Sequence, residues 1–348
     1  MSITTHPPLI RAAHRLGAIL QDNGYDRIVG AEHVMEQLVH CDARILDHIW
    51  NYGANETSAT RDLLDFAFFC QPLSVIRALD LLSEPVLDAL NKLGVLHFDG
   101  DLVSLPNHML LLHRGCSFIA PRLIGATTSM DLYLGWDSLK LASHLRTNYS
   151  DPLFEIGAGT GIIGLIGTTS SYLASEISAE STKIASFNFA LNRQETRCAV
   201  VRGDLLEPLD YRARRIVAAN PPYVAAPPEL PLPVYSMGGA DGLDMARRIV
   251  KSWNRFTNFP ICVFILRAYG EYRAEKLEEF LNHCHGCADI TLEYLSDTPL
   301  TEEDFMALAL GSGGEGEWIM ERARFFEKHY QKQGFIRQFD ILATLKRI

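Results

Sequence analysis

The sequence predicts an α/β protein: a doubly wound sheet in the C-terminal two-thirds, preceded by a mostly helical domain. Three observations carry this. From about residue 126, short apolar runs alternate with helical stretches, the signature of a parallel sheet with crossover helices. A glycine cluster lies directly between one such run and a helix. Before residue 125 the apolar residues recur at helical spacing instead.

Leu9, Ala13, Leu16 and Leu20 share one helix face, and Gly24 suits the stop. Further helices are expected over 31–39, 43–51 and 58–69, then over 72–94 with a new start at Ser83-Glu84-Pro85. In Leu96–Val103 apolar residues flank an Asp-Gly pair, a strong hairpin signal. Helices closed by a hairpin describe a winged-helix-like domain over 1–125. That domain carries nine Lys+Arg against fourteen Asp+Glu. Phosphate contacts dominate nucleic-acid affinity, so a cap or substrate-binding role fits it better than DNA binding. Residues 126–348 hold the sheet, with strands expected over 152–156, 172–177, 197–202, 214–219, 260–268, 288–295 and 339–347.

The 348 residues are 47% apolar and 21% charged, with a net charge of −10. That allows two domains with a large core, excludes global disorder and argues against a broad grip on nucleic acid. No apolar run approaches the ~20 residues that span a bilayer. The start, MSITTHPPLIRAAHRLG, lacks the marks of a signal peptide. Seven scattered cysteines read as reduced thiols, so a cytoplasmic protein is expected. The oligomeric state is not legible.

Ligands of doubly wound sheets bind at the carboxyl ends of strands. The clearest such end is Phe154-Glu155-Ile156-Gly157-Ala158-Gly159-Thr160-Gly161. Gly157, Gly159 and Gly161 let the backbone turn sharply and approach a ligand, and the following helix offers free N–H groups. Gly159–Gly164 also fits the dinucleotide pattern GxGxxG. Two acids point to S-adenosylmethionine (SAM): Glu155 inside the strand end, and Glu176 at the end of the next strand, where a carboxylate can accept both ribose hydroxyls. Glu176 would equally serve NAD, or cap a helix. Asp204 ends the third strand and either faces the adenine amino group or is an ordinary turn acid.

After the fourth strand comes Ala219-Asn220-Pro221-Pro222-Tyr223-Val224. The prolines remove two backbone donors and stiffen the chain. The Asn220 side-chain oxygen and the Pro221 carbonyl can accept two N–H bonds from one nitrogen and so aim its lone pair. The Tyr223 ring can pack on a flat group beside it. An in-line methyl transfer needs such positioning.

Residues 150–250 resemble the class I SAM-dependent methyltransferases that carry an NPPY motif, and most of all the release-factor glutamine N-methyltransferase group. EIGAGTGIIG (155–164), EISAESTKIASFNFALN (176–192), ANPPYV (219–224) and GGADGLDMARRIV (238–250) carry the likeness. It implies a Rossmann-like seven-stranded sheet with SAM as co-substrate. Glu155, Gly157, Ala158, Gly159 and Gly161 would cradle SAM, Glu176 would hold its ribose and Asp204 would lie by the adenine. Asn220, Pro221 and Tyr223 would hold the acceptor nitrogen, with Asn220 also touching SAM. The Pro-Arg-rich segment of that group is replaced here by Met130–Ser138. Tyr133, Trp136 and Asp137 therefore either line a different pocket, with Tyr133 in a catalytic role, or pack a helix entry.

Two activities fit. One is N-methylation of an amide or amine on a small molecule or protein. The other is acceptor-free SAM cyclisation of the azetidine-2-carboxylate synthase type, in which the SAM α-amine attacks its own γ-carbon and methylthioadenosine leaves. No metal is expected: His283-Cys284-His285-Gly286-Cys287 lacks the second ligand pair of a structural zinc site. Phe325, Phe326 and Tyr330 read as core of a helix over the last strand.

Overall fold

A computed structural model describes residues 6–30, 32–40, 44–54, 56–123, 132–207, 215–230, 232–282, 288–311 and 318–348. These divide into two compact units, Met1–Ser150 with Ala158–Gly203, and Asp151–Gly157 with Asp204–Ile348. The boundary expected at 125/126 lies outside the described residues, as does His283–Cys287.

The first unit opens with helices α1 (Pro7–Asp22), α2 (Tyr25–Val29), α3 (Glu32–Val39), α4 (Arg44–Gly53) and α5 (Ser58–Leu63), the last running into a π-helical turn over Leu64–Phe68. Ala13, Leu16 and Leu20 are fully buried, as the α1 spacing requires. Strand β1 (Leu73–Ser74) leads into α6 (Val75–Leu82) and α7 (Glu84–Leu93), which meet at Ser83. The expected hairpin is β2 (His97–Asp99) with β3 (Leu102–Ser104), and β1 pairs β3 to make three strands. Its two-residue loop is Gly100-Asp101, with Gly100 at φ +57° in the first loop position.

A second hairpin, β4 (His108–His113) with β5 (Cys116–Pro121), turns through Arg114 (φ +50°) and Gly115 (φ +76°). Two positive φ values in a row are what a type I′ turn needs. The sequence reading missed this hairpin because β4 is buried at five successive positions, so no alternation shows. Then come α8 (Trp136–Asn148), and, after the first strand of the second unit, α9 (Ile162–Ile166), β7 (Tyr172–Glu176), α10 (Ala179–Leu191) and β8 (Cys198–Arg202). Strands β7 and β8 are parallel. Helix α1 closes on α10 at Gly17, where a Cβ would stand 2.9 Å from the Leu191 carbonyl oxygen.

The second unit holds β6 (Leu153–Ile156), β9 (Ile216–Ala219), α11 (Asp244–Asn254), β10 (Ile261–Gly270), α12 (Glu275–Asn282), β11 (Ala288–Tyr294), β12 (Thr298–Pro299), α13 (Glu302–Gly311), α14 (Trp318–Gln333) and β13 (Arg337–Arg347). Its strand order is β11-β13-β10-β9-β6. β6, β9 and β10 are parallel, whereas β13 runs antiparallel to both neighbours and also pairs β12. All seven expected strands are present, but the sheet is mixed rather than parallel, because strand-helix alternation carries no information on the direction of a last strand. β9 lies beside β6 although β7 and β8 come between them in the sequence.

Thr301 and Asp304 cap α13 reciprocally: the Asp304 N–H donates to the Thr301 hydroxyl oxygen (3.3 Å) and the Thr301 N–H to the Asp304 carboxylate (2.8 Å). On α14, Phe326 and Tyr330 are fully buried but Phe325 is half exposed. Neighbouring helix positions diverge by ~100°, so Phe325 cannot share the core face. Among the described residues no helix is long and apolar enough to cross a membrane.

His108 on β4 is buried, its ring nitrogens without hydrogen-bond partners and Glu180 3.9 Å away. Burial pulls its pKa down to about 4. The unfolded imidazole binds its proton near pH ~6.5. The unfolded state therefore holds more protons between those values, and stability falls as pH drops from ~6.5 towards 4. His108→Leu should flatten the decline of the urea midpoint between pH 7 and 4.5; an unchanged slope would refute this.

Candidate active site

The turn after β6 is built from glycines in left-handed conformation: Gly157 (φ +79°), Gly159 (φ +52°) and Gly161 (φ +79°). Gly157 and Gly161 are glycine for different reasons. A Cβ at Gly157 would project into open space, whereas at Gly161 it would stand 2.9 Å from the Phe189 ring of α10. Gly161 thus sets how closely turn and helix pack, and Gly157 keeps bare backbone facing outward, a surface that suits a polar ligand's close approach.

Several groups fix the turn. The Ala158 N–H donates to the Ser175 carbonyl (3.2 Å) and the Gly161 N–H to the Ala158 carbonyl (2.8 Å). Glu176, buried at the end of β7, accepts the Gly159 N–H on one carboxylate oxygen and the Ser178 N–H on the other, both at 2.9 Å. The helix-capping alternative for Glu176 falls to Ser178, whose hydroxyl oxygen accepts the Ser181 N–H at the start of α10. Glu155 is buried within β6, opposite Ala218 of β9.

Tyr133 lies against the same turn: its carbonyl oxygen is 3.6 Å from where a Gly159 Cβ would be. Its hydroxyl donates to both oxygens of the Asp137 carboxylate (3.1 and 3.2 Å). Asp137 is buried in the first turn of α8 and also accepts the Ser138 N–H. A Cβ at Gly135 would collide with the Tyr133 hydroxyl. The segment packs as the entry of α8 and sits beside the glycine turn. Trp136, the first residue of α8, is half-buried.

In the second unit the parallel register Leu153↔Ile216 through Ile156↔Ala219 makes β6 and β9 end together. Gly157 and Asn220 therefore leave neighbouring strands at the same end. Asn220 and Tyr223 are half-buried and Pro221 is buried. The segment after them is zipped to residues 236–239: Val224 N–H donates to the Ser236 carbonyl (3.1 Å), Gly238 N–H to Val224 (3.1 Å) and Ala226 N–H to Gly239 (3.0 Å). Ala225 and Ala226 are buried with Tyr269, Phe326, Tyr330 and Phe335.

GGADGLDMARRIV leads into α11 and has a second task that the sequence reading missed. A Cβ at Gly238 would lie 2.6 Å from the Tyr223 carbonyl carbon, and one at Gly242 (φ +81°) 2.5 Å from the Tyr223 oxygen. The glycines let this segment press on the backbone of Tyr223. Asp241 holds it by pairing with Arg247 (2.6 and 2.9 Å) and accepting the Leu243 N–H (3.2 Å). Burial raises the Asp241 pKa, but those hydrogen bonds outweigh it and hold the carboxyl below its usual range. Asp204 pairs with Arg248 of α11 at 2.6 Å. Beside Tyr223, Arg267 of β10 is paired with Asp340 of β13 (2.8 and 3.3 Å). Among the described residues no group of three or more His, Cys, Asp or Glu could hold a metal ion.

No family model matches the chain. It is 30% identical over 123 residues to the ribosomal protein uL3 glutamine methyltransferase of Burkholderia pseudomallei, covering 30% of this chain and 40% of that protein. It is 22% identical over 237 residues to the bifunctional methyltransferase of Rickettsia typhi, covering 60% and 45%. The chain thus spans less than half the length of these curated relatives. Among solved structures, the Streptomyces coelicolor geranyl diphosphate C-methyltransferase in complex with Mg2+, geranyl diphosphate and S-adenosyl-L-homocysteine is 16% identical, covering 61% of this chain and 77% of that one (TM-score 0.40). The ribosomal protein L11 methylase of Lactobacillus delbrueckii subsp. bulgaricus is 14% identical, covering 65% and 86% (TM-score 0.35).

Gly242→Ala adds a Cβ against the Tyr223 carbonyl at a strained φ, so we expect a loss of about 1–3 kcal/mol and a displaced Tyr223. Gly94→Ala, also at positive φ (+80°) but with nothing within 4 Å of its Cβ, is the control for strain alone. Denaturant titration and Tyr223 side-chain NMR should separate the two. Equal effects would show that the close approach is unimportant.

Proposed function

We propose that the chain is a SAM-dependent N-methyltransferase that acts on a carboxamide nitrogen. The observation that carries this reading is the shared end of β6 and β9: a glycine turn leaves one strand and Asn-Pro-Pro-Tyr leaves its parallel neighbour. The residues present fit SAM, for the bare backbone at Gly157 leaves the space a cradle needs. Glu176 would hold the ribose, with Gly157 through Gly161 along the methionine part. Glu155 would support the turn from inside β6, and Asp204 would reach the adenine by exchanging its contact with Arg248.

A carboxamide is a poor nucleophile because its nitrogen lone pair is delocalised. The Asn220 side-chain oxygen and the Pro221 carbonyl would accept its two N–H bonds and turn the lone pair towards the sulfonium methyl. As the C–N bond forms and the C–S bond breaks, nitrogen gains positive charge and both bonds strengthen. They therefore favour the transition state over the bound substrate. S-adenosylhomocysteine leaves, and nitrogen then sheds one proton to solvent. Tyr223 would pack on the amide face, and the Tyr133–Asp137 pair would border SAM's methionine part. The named uL3 glutamine methyltransferases support a protein glutamine as the acceptor. The acidic charge of −10 also favours a protein over nucleic acid.

The test is incubation with methyl-labelled SAM, first alone and then with glutamine-bearing peptides from ribosomal protein uL3. Label on a glutamine amide with formation of S-adenosylhomocysteine supports the reading. Methylthioadenosine accumulating from SAM alone would replace it with the acceptor-free cyclisation. Asn220→Ala should lower turnover by at least ~100-fold while leaving the SAM dissociation constant within about threefold. Loss of SAM binding instead would sink the role given to Asn220.

A further inference from the structure

Asn188 and Asn192 stand one turn apart on or just beyond α10, both facing β5. Asn188 is fully buried. Its side-chain oxygen accepts the Ile119 N–H (2.8 Å), and its amide nitrogen donates to the Ile119 carbonyl (2.9 Å). Asn192 repeats this at Ser117, accepting the N–H (2.9 Å) and donating to the carbonyl (2.6 Å). Four helical residues rise ~6.0 Å and two strand residues ~6.8 Å, so side chains four apart on a helix meet alternate residues of a strand. Ser117 and Ile119 present their peptide groups on the edge of β5 away from β4. A side-chain amide offers one donor and one acceptor, as a peptide does, so the two asparagines stand where a third strand would pair.

Each amide has one N–H left. Asn192 spends its own on the Asn188 carbonyl (2.7 Å) within the helix. Asn188 spends its own on the Thr160 carbonyl (2.9 Å), in the middle of the glycine turn. Apart from that bond the two residues do the same work. Thr160 lies between Gly159 and Gly161, whose freedom would let the intervening peptide planes rotate at little cost. Asn188 fixes the Thr160–Gly161 plane through its carbonyl, as Glu176 fixes the preceding Gly159 N–H.

We infer that Asn188 is the positioning residue for SAM. It couples the β4–β5 hairpin to the glycine turn and holds that turn ready before SAM arrives. This rests on the SAM reading above. The test compares Asn188→Ala with Asn192→Ala in the full chain, by calorimetric titration with S-adenosylhomocysteine at a temperature where circular dichroism shows both folded. Both should lower Tm. Only Asn188→Ala should weaken binding, by tenfold or more, with Asn192→Ala within threefold of the unchanged protein. Equal weakening by the two, or none from Asn188→Ala, overturns the inference. If Asn188→Ala does not fold, amide hydrogen exchange on the unchanged protein decides. Protection at residues 158–162 already present without ligand supports a turn held ready, and protection that appears only with S-adenosylhomocysteine overturns it. An unchanged protein that binds no S-adenosylhomocysteine removes the SAM reading itself, and the inference with it.

Discussion

The structure depends on holding still a backbone whose residues were chosen for freedom. Three glycines at positive φ make the turn after β6, and glycine loses more conformational entropy on ordering than any other residue. The turn keeps one shape because buried neighbours supply what side chains in the turn cannot. Glu176 takes the Gly159 N–H, Asn188 takes the Thr160 carbonyl, and the Ser175 carbonyl takes the Ala158 N–H. A buried polar group that loses its partner costs more than the bond itself is worth, so each contact resists rotation of the peptide it holds. The polar residues in this otherwise apolar region, Glu176 at 7% exposure and Asn188 at 0%, are tolerated because backbone groups satisfy them.

The second unit solves the same problem the other way round. Around Tyr223 the freedom lies outside the segment to be held: two prolines stiffen the chain before Tyr223, while Gly238 and Gly242 let a second segment come within contact of its backbone. Main-chain bonds through Val224 and Ala226 complete the clamp, and the aromatic cluster of Tyr269, Tyr330 and Phe335 packs behind it. Tyr269 stacks on Phe335 at 5.5 Å and meets Tyr330 edge-on at 4.9 Å, arrangements that fix ring positions beyond what area alone would do.

What could be read from the sequence follows how local the signal is. The seven strands, the glycine turn and Asn-Pro-Pro-Tyr are contiguous patterns, and the strands appear where alternation and flanking glycines place them. The β4–β5 hairpin left no mark because Met109 through Leu112 are buried on both faces and the turn uses Arg114-Gly115. The direction of β13 and the two-residue β12 depend on tertiary pairing, which no local spacing encodes. Phe325 looked like core because it stands beside Phe326, yet one helical step separates their faces. The asparagines of Phe187-Asn188-Phe189-Ala190-Leu191-Asn192 were visible as polar residues in an apolar helix, four apart. Such spacing signals a polar task on a buried face, but the partner, a strand some seventy residues earlier, is legible only in three dimensions.

Within the second unit, the pairing of β6 with β9 sets where the two chain ends stand. Both strands are buried at every position, and Ala218 and Ala219 are completely inaccessible. Their register, Ile156 opposite Ala219, decides where Gly157 and Asn220 begin. A slip of one residue would move Gly157 by ~3.3 Å against Asn220 and turn alternate side chains to the opposite face. In-line transfer tolerates far less, since misplacement by ~1 Å already costs about a hundredfold in rate. For the proposed methyl transfer, the register of two short apolar strands is therefore as much a part of the catalytic geometry as any group that touches substrate.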